Sequence, residues 1–225
     1  TDLASGQGAR LLKLPQTLIN IGNIEELKTI SRTERYLDLG ATVNLSRMLK
    51  LEKQLPPLLF SAILTISSPQ IRNMATLGGN ILACPGHADL LGPLTALEAL
   101  VELRTAISSR WISLSRLSFK KEEIIQPGEL LCRIRIPLES WNYQLYRKIV
   151  PLEKTNQSPL AFTILAKTAK GFVEDVRIVL SLSQKSLRNQ VLESQLIGKS
   201  IPLSRKALQL WLEAWENYLS SFEDL

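Results

Sequence analysis

Apolar residues recur along this chain with two different periods, and the alternation between them lays out its elements. Period two marks strands. Leu18-Ile19-Asn20-Ile21 reads as a short strand and residues 37–43 as a second. Residues 100–104 and 131–136 alternate clearly, the latter stopped by Pro137. Residues 143–150, 161–166 and 173–182 add three more, with Lys170-Gly171 as the hairpin turn between the last two. Helical spacing fills the gaps. Asn44 is placed to cap a helix through Leu45, Met48 and Leu49, and Pro56-Pro57 to start one carrying Leu58, Leu59, Ala62 and Ile63. Asp89 stands where a helix dipole favours its charge, ahead of Leu90, Leu91, Leu94, Leu97 and Ala99. Near the end, Leu208, Trp211, Leu212, Trp215, Tyr218, Leu219 and Phe222 share one helix face, which predicts both tryptophans in a core. The segment around Gly78-Gly79, flanked by Ile71 and Ile81, is predicted as irregular backbone with short extended pieces.

The pattern changes near Trp141, so two units are expected, residues 1–140 and 141–225, with no low-complexity linker and no internal repeat. At 225 residues and 45% hydrophobic content, each can bury a core, and a globular cytoplasmic protein is expected. The longest apolar run, around residues 55–66, contains two prolines and a serine and is too short for a membrane span. The net charge of +6 is scattered among acidic residues, as in Lys120-Lys121-Glu122-Glu123, which argues against a nucleic-acid stripe. Two cysteines, Cys84 and Cys132, are too few for an iron–sulfur cluster or a structural zinc. A single histidine, His87, leaves no hydrolytic triad to assemble. The front, Thr1-Asp2-Leu3-Ala4-Ser5-Gly6, has neither start methionine nor signal-peptide pattern and reads as trimmed.

Chemistry concentrates in the run from Ser68 through Ile81, S-P-Q-I-R-N-M-A-T-L-G-G-N-I, followed by Asp89. Two consecutive glycines let a ligand approach the main chain and permit positive φ, so successive N–H groups could converge on an anion, with Thr76 and Asn80 adding directed hydrogen bonds. The run is neither a Walker loop nor a Rossmann fingerprint. From the residues alone it is an anion-binding turn or an ordinary tight turn.

The order of motifs goes further. S-P-Q-I-R-N, T-L-G-G-N-I, an Asp ten residues past the second glycine, a V-E-L strand and P-G-E-L-L-x-x-I-x-I-P at residues 127–137 together resemble the FAD-binding subunit of the molybdenum hydroxylases, the xanthine dehydrogenase and carbon monoxide dehydrogenase group. The resemblance covers nearly the whole chain. It implies an α+β fold: an FAD-binding domain of the vanillyl-alcohol oxidase and p-cresol methylhydroxylase type over 1–140, lacking its first strand–helix–strand unit, and a C-terminal α/β domain of the carbon monoxide dehydrogenase flavoprotein type over 141–225. It further implies that Ala75, Thr76, Gly78, Gly79, Asn80 and Leu82 contact FAD, that Asp89 hydrogen-bonds a cofactor hydroxyl, that Leu131 is an apolar contact, and that Arg147 or Lys148 lies against the cofactor. Thr1 and Asp2 would be the tail of an earlier Gly-Gly-Thr-Asp-type pyrophosphate turn, so half of the phosphate cradle is expected to be missing. Ala83, Cys84 and His87 replace residues that are often small and polar in the family.

The function so implied is an oxidoreductase subunit that passes electrons through FAD to an external acceptor. The molybdenum cofactor and [2Fe-2S] clusters would sit on partner subunits, a molybdopterin-binding one and an iron–sulfur one. Two other readings stay open: a cofactor-free interaction subunit that keeps the fold, and a stand-alone flavin oxidoreductase acting on substrate directly.

Overall fold

The computed structural model describes residues 16–82, 89–119, 124–149, 160–182 and 185–222. Its strands form two antiparallel sheets. The first contains β1 (Ile30–Arg32), β2 (Tyr36–Gly40), β3 (Leu100–Arg104), β4 (Ser109–Ser113) and β5 (Leu130–Pro137), in the order β1-β2-β5-β3-β4. The second is a meander of β6 (Tyr143–Ile149), β7 (Leu160–Ala169), β8 (Phe172–Leu182) and β9 (Lys185–Arg188). β5, the last strand of the first sheet in sequence, inserts at its centre and pairs with both β2 and β3. Its alternation explains the choice: Leu131, Ile134 and Ile136 are buried, while Arg133 and Arg135 lie on the polar face. There Arg135 makes a bidentate pair with Asp38, its cross-strand neighbour, at 2.8 Å for each bond, and stacks over Trp111 at 4.6 Å.

Among the described residues, six helices lie in sequence between strands of the first sheet: α1 (Leu45–Leu49), α2 (Pro57–Leu64), α3 (Pro69–Met74), α4 (Leu77–Leu82), α5 (Leu91–Ala96) and α6 (Leu114–Phe119). As expected, Asn44 caps α1 by accepting from Arg47 N–H at 2.8 Å, and Pro57 opens α2. Ser68 caps α3 in the same way, with Pro69 following it at the first helical position. α5 lies against β7, β8 and β9 of the second sheet, and Leu94 within it is fully buried in a core that runs from Met48, Leu59 and Ile134 to Leu165 and Val179. Two further helices, α7 (Gln190–Ser194) and α8 (Arg205–Ser220), pack on the other face of the second sheet and enclose a smaller core around Ile178, Leu192 and Trp215.

Several expectations change. Leu18-Ile19-Asn20-Ile21 is not a strand: nothing among the described residues pairs with it, and Ile19 is 82% exposed. The Gly78-Gly79 segment is helical, within α4, and not irregular. The helix after Asp89 is shorter than its apolar stripe, although Leu90, Leu97 and Ala99 are buried as predicted. On α8, Trp215 is buried and Trp211 donates its indole N–H to the Leu192 carbonyl at 2.9 Å, but Leu208 and Leu212 face outward. The Lys170-Gly171 turn is as expected, both residues having left-handed φ (51° and 81°).

One ion pair gives the fold a pH dependence. Arg110 holds Glu129 in a bidentate grip (2.6 and 2.8 Å), and the Gln126 N–H adds a third bond at 2.8 Å. Arg110 first, then this N–H, brings the Glu129 carboxyl from 4.5 down to about 2. A carboxyl whose folded value is depressed stabilises the fold above its ordinary value and loses that contribution as pH falls through the folded one. Glu129→Gln should therefore flatten the decline of stability between pH 4.5 and about 2 in acid-unfolding curves. A mutant whose acid limb matches the wild type would show that this pair carries none of the dependence.

Candidate functional site

The site begins with the way the chain leaves β2. Residues 41–43 run alongside the link between α3 and α4. Leu45 N–H donates to the Ala75 carbonyl (3.0 Å), Leu77 N–H to Val43 (2.9 Å) and Gly78 N–H to Ala41 (2.8 Å). Thr76 caps α4, its Oγ1 accepting from Gly79 N–H at 3.1 Å. The expected nest of glycine N–H groups aimed at an anion is thus absent. All three N–H groups at the start of α4 have acceptors inside the protein, and neither glycine has positive φ.

The glycines do a different job. A Cβ on Gly78 would lie 2.8 Å from the Ala41 Cβ and 2.9 Å from its carbonyl oxygen, so this glycine lets α4 pack against the backbone of residue 41. A Cβ on Gly79 would crowd only the Thr76 hydroxyl, at 2.8 Å. Gly79 therefore keeps open the space in front of it.

That space is a cleft of about 460 Å³ between α3, α4 and the start of β5. Of the residues singled out in the sequence, Thr76, Gly78, Gly79, Leu82 and Leu131 line it together. Thr42, Asn44, Asn73, Met74 and Leu130 line it as well, and sequence reasoning missed them in this role. Asn73 and Met74 sit inside the quoted motif but are ordinary residue types, and Asn44 was legible only as a helix cap. Among the described residues, no charged side chain lines the cleft. Asn44 is spent internally, on Arg47 N–H and on the Asn73 carbonyl (3.2 Å). The Thr76 hydroxyl accepts from Gly79 but keeps its own hydrogen to donate. The lining therefore suits a flat, largely apolar group with a hydrogen-bonding edge toward Thr76 and Asn73, and Gly79 leaves the space that a Cβ would fill.

The remaining candidates lie elsewhere. Ala75 packs its side chain against the core. Asn80 is 8% exposed, and its Oδ1 accepts from Leu90 N–H at 3.1 Å, tying α4 to the entrance of α5. Asp89 is paired with Lys148, Oδ1 to Nζ 2.5 Å, both side chains largely shielded from water. Between the two basic candidates on β6, the structure brings Lys148 to Asp89, and Arg147 is exposed on the opposite face. Tyr146, on the same face as Lys148, has its phenol pushed up to about 12 by burial and by the Asp89 charge. Thr1, Asp2, Ala83, Cys84 and His87 lie outside the described residues. Cys132 is buried, and burial raises its thiol, which makes it a poor nucleophile. Among the described residues, no cluster of His, Cys, Asp or Glu could hold a metal ion, and no helix is long and apolar enough to cross a membrane.

Removing one partner of a shielded pair leaves the other charge without compensation. Lys148→Met should cost about 2–4 kcal/mol of unfolding free energy, and Asp89→Asn/Lys148→Met together less than the sum of the two single changes. Chemical denaturation of the four proteins measures both, and additive losses would mean that the pair is not coupled.

Residues 1–139 match the family model described as the FAD binding domain in molybdopterin dehydrogenase. Over 211 residues the chain is 30% identical to the glyceraldehyde dehydrogenase medium chain of Sulfolobus acidocaldarius, covering 88% of this chain and 74% of that one. It is 30% identical over 126 residues to the 6-hydroxypseudooxynicotine dehydrogenase complex subunit alpha of Paenarthrobacter nicotinovorans, covering 55% of this chain and 43% of that one. Among solved structures, quinoline 2-oxidoreductase from Pseudomonas putida 86 is similar in fold, with a TM-score of 0.73 at 21% identity over 86% of this chain and 68% of that one. The Cu,Mo-CO dehydrogenase gives a TM-score of 0.71 at 23% identity over 84% of this chain and 66% of that one. The chain thus spans between less than half and about three quarters of these two relatives' own length.

Proposed function

The chain belongs to the family of FAD-binding domains of molybdopterin dehydrogenases, and from that membership we propose that it serves as the FAD-holding subunit of a multi-subunit molybdenum hydroxylase. The single observation that carries this reading to particular residues is the uncharged cleft in which Thr76, Gly78, Gly79, Leu82 and Leu131 converge. Leu82, Leu130 and Leu131 would pack against the cofactor, Thr76 would donate to it, and Gly79 would let it approach the start of α4. The Asp89–Lys148 pair would present its remaining carboxylate oxygen to a cofactor hydroxyl. FAD itself supplies the redox chemistry, exchanging single electrons with metal centres and electron pairs with an acceptor, so the protein's part is to bind, orient and shield it.

Electrons would reach this subunit from iron–sulfur clusters on a small partner, fed by a molybdopterin-binding partner that oxidises substrate. The relatives' own names support a shared assembly: a medium chain, a complex subunit, and the nicotinate dehydrogenase FAD-subunit of Eubacterium barkeri. We place the boundary between an FAD-binding unit and a C-terminal unit near residue 140, where the first sheet has ended and the second begins, and we place the complex in the cytoplasm.

A cofactor-free interaction subunit is the competing reading. It draws on the lack of any cation among the described residues that line the cleft and on the internal use of the α4 N–H groups. Affinity purification of the full-length protein from its native host separates the readings. A cysteine-rich iron–sulfur subunit and a molybdopterin-binding subunit should co-purify together with FAD. The same partners without flavin would favour the competitor, and a lone active oxidase would overturn both.

A further inference from the structure

A second cavity, of about 810 Å³, opens where the two sheets and their helices meet, and its residues are not those of the flavin cleft. Its volume falls in the range of small-molecule sites, and junctions between structural units are where such sites concentrate. It is walled by the end of α5, the β4–α6 corner, β9 and the start of α7, with Tyr218 of α8 reaching in.

The charges of this cavity do not balance. Two cations, Arg116 and Arg188, and one carboxylate, Glu98, line it. Arg188 is fully engaged: Nη1 lies 2.9 Å from Glu98, and the guanidinium grips the buried Glu193 at 2.9 Å. Glu98 is also approached by Arg177 at 3.4 Å. Arg116, by contrast, has no ion pair or hydrogen bond to any described residue, so one positive charge faces the cavity unmatched.

Polar groups without partners accompany it. Thr95 is 2% exposed, and its hydroxyl has no hydrogen-bond partner. The Tyr218 ring is fixed edge-to-face against Trp215 and Phe222, burial keeps its phenol protonated, and its hydroxyl makes no bond within the described protein. Ser113 and Ser115 bond one another at 2.8 Å. Leu100 and Val191 supply the apolar part of the wall, and Ser186, Asn189 and Gln190 add polar groups to it. A guanidinium that no described residue neutralises, beside a phenol donor and the apolar side chains of Leu100 and Val191, suits a singly charged oxyanion attached to a hydrocarbon body.

We propose that this cavity binds a small monocarboxylate with an apolar body, its carboxylate anchored by Arg116 and hydrogen-bonded by Tyr218, its body against Leu100 and Val191. A single negative charge matches the single unpaired cation, which favours a carboxylate over a doubly charged phosphate. Because the walls come from both sheets, such a ligand would also brace one unit against the other.

Calorimetric titration of the full-length protein with benzoate, and with benzyl alcohol as its uncharged counterpart, tests this. Benzoate should bind saturably with one site, and benzyl alcohol at least about tenfold more weakly. Arg116→Gln should lower benzoate affinity by about tenfold or more and Tyr218→Phe by a few-fold, with flavin content unchanged in both. Equal binding of the two compounds, no saturable benzoate binding, or unaltered benzoate affinity in Arg116→Gln would overturn the proposal. So would a failure of Arg116→Gln to fold, because the guanidinium would then be holding the structure and not awaiting a ligand.

Discussion

Gly40→Ala should lower the stability of this protein by about 3 kcal/mol, at the upper end of what overpacking costs. The reason is backbone, not side chain. A Cβ at residue 40 would sit 2.1 Å from the Leu27 carbonyl oxygen and 2.4 Å from its carbon, a contact that no rotamer change relieves. The turn at Glu25–Lys28 lies directly on this strand end, fastened by Gly40 N–H to Thr29 (2.8 Å) and by both the N–H and the hydroxyl of Thr42 to Leu27 (3.0 and 2.9 Å). Pushing the turn away would expose Leu27 and displace residues 41–43, from which α4 hangs. For a chain of this size the loss corresponds to roughly 6–12 °C in melting temperature, and flavin retention should fall with it. A mutant melting within 2 °C of wild type would mean that the turn moves aside at little cost.

Gly79→Val separates ligand binding from folding. Its Cβ meets only a hydroxyl, so the fold loses at most the Thr76 cap, about 1 kcal/mol. The branched side chain nonetheless stands in the cleft and should weaken FAD binding roughly 10- to 100-fold through an overpacking cost of about 1–3 kcal/mol. Gly78→Ala should behave in the opposite way, because its obstacle is the Ala41 backbone: stability falls first, and binding falls only as a consequence. Flavin content and melting temperature, measured on both mutants, distinguish the two glycines. Full flavin content in Gly79→Val would remove the start of α4 from the site.

Strands that carry their own pattern were legible in the sequence. β5 alternates in burial from Cys132 to Ile136, and β8 holds a buried run from Val176 to Val179, apolar apart from Arg177, so period and length identified both. Helix entrances marked by Asn44 and by the Pro56-Pro57 pair were equally plain, since each acts within one turn. β1 and β4 were not. β1 is three residues long, and β4 buries only Ile112, so both exist because a neighbouring strand supplies hydrogen bonds. α4 is the clearest case of tertiary context overriding propensity: two adjacent glycines disfavour a helix, yet the Val43 and Ala41 carbonyls and the Thr76 cap take up its first N–H groups.

The site was legible to a similar degree. The resemblance named Thr76, Gly78, Gly79, Leu82 and Leu131, which the fold brings together although Leu131 comes from a distant strand. It could not reveal that the glycines serve packing and clearance in place of a left-handed anion nest. Nor could it choose between Arg147 and Lys148, because that choice depends on which face of β6 turns toward Asp89. Thr42, Asn73 and Met74 carry no chemical signature and become visible only as walls of a cleft.

The central claim, that the cleft at the start of α4 holds FAD, is tested most directly by the flavin stoichiometry of the full-length protein purified from its native host. Visible absorption before and after acid release, with the released flavin identified by mass, should give one FAD per chain in the wild type and a large deficit in folded Gly79→Val. A flavin-free wild type, or equal stoichiometry in the two proteins, would contradict it.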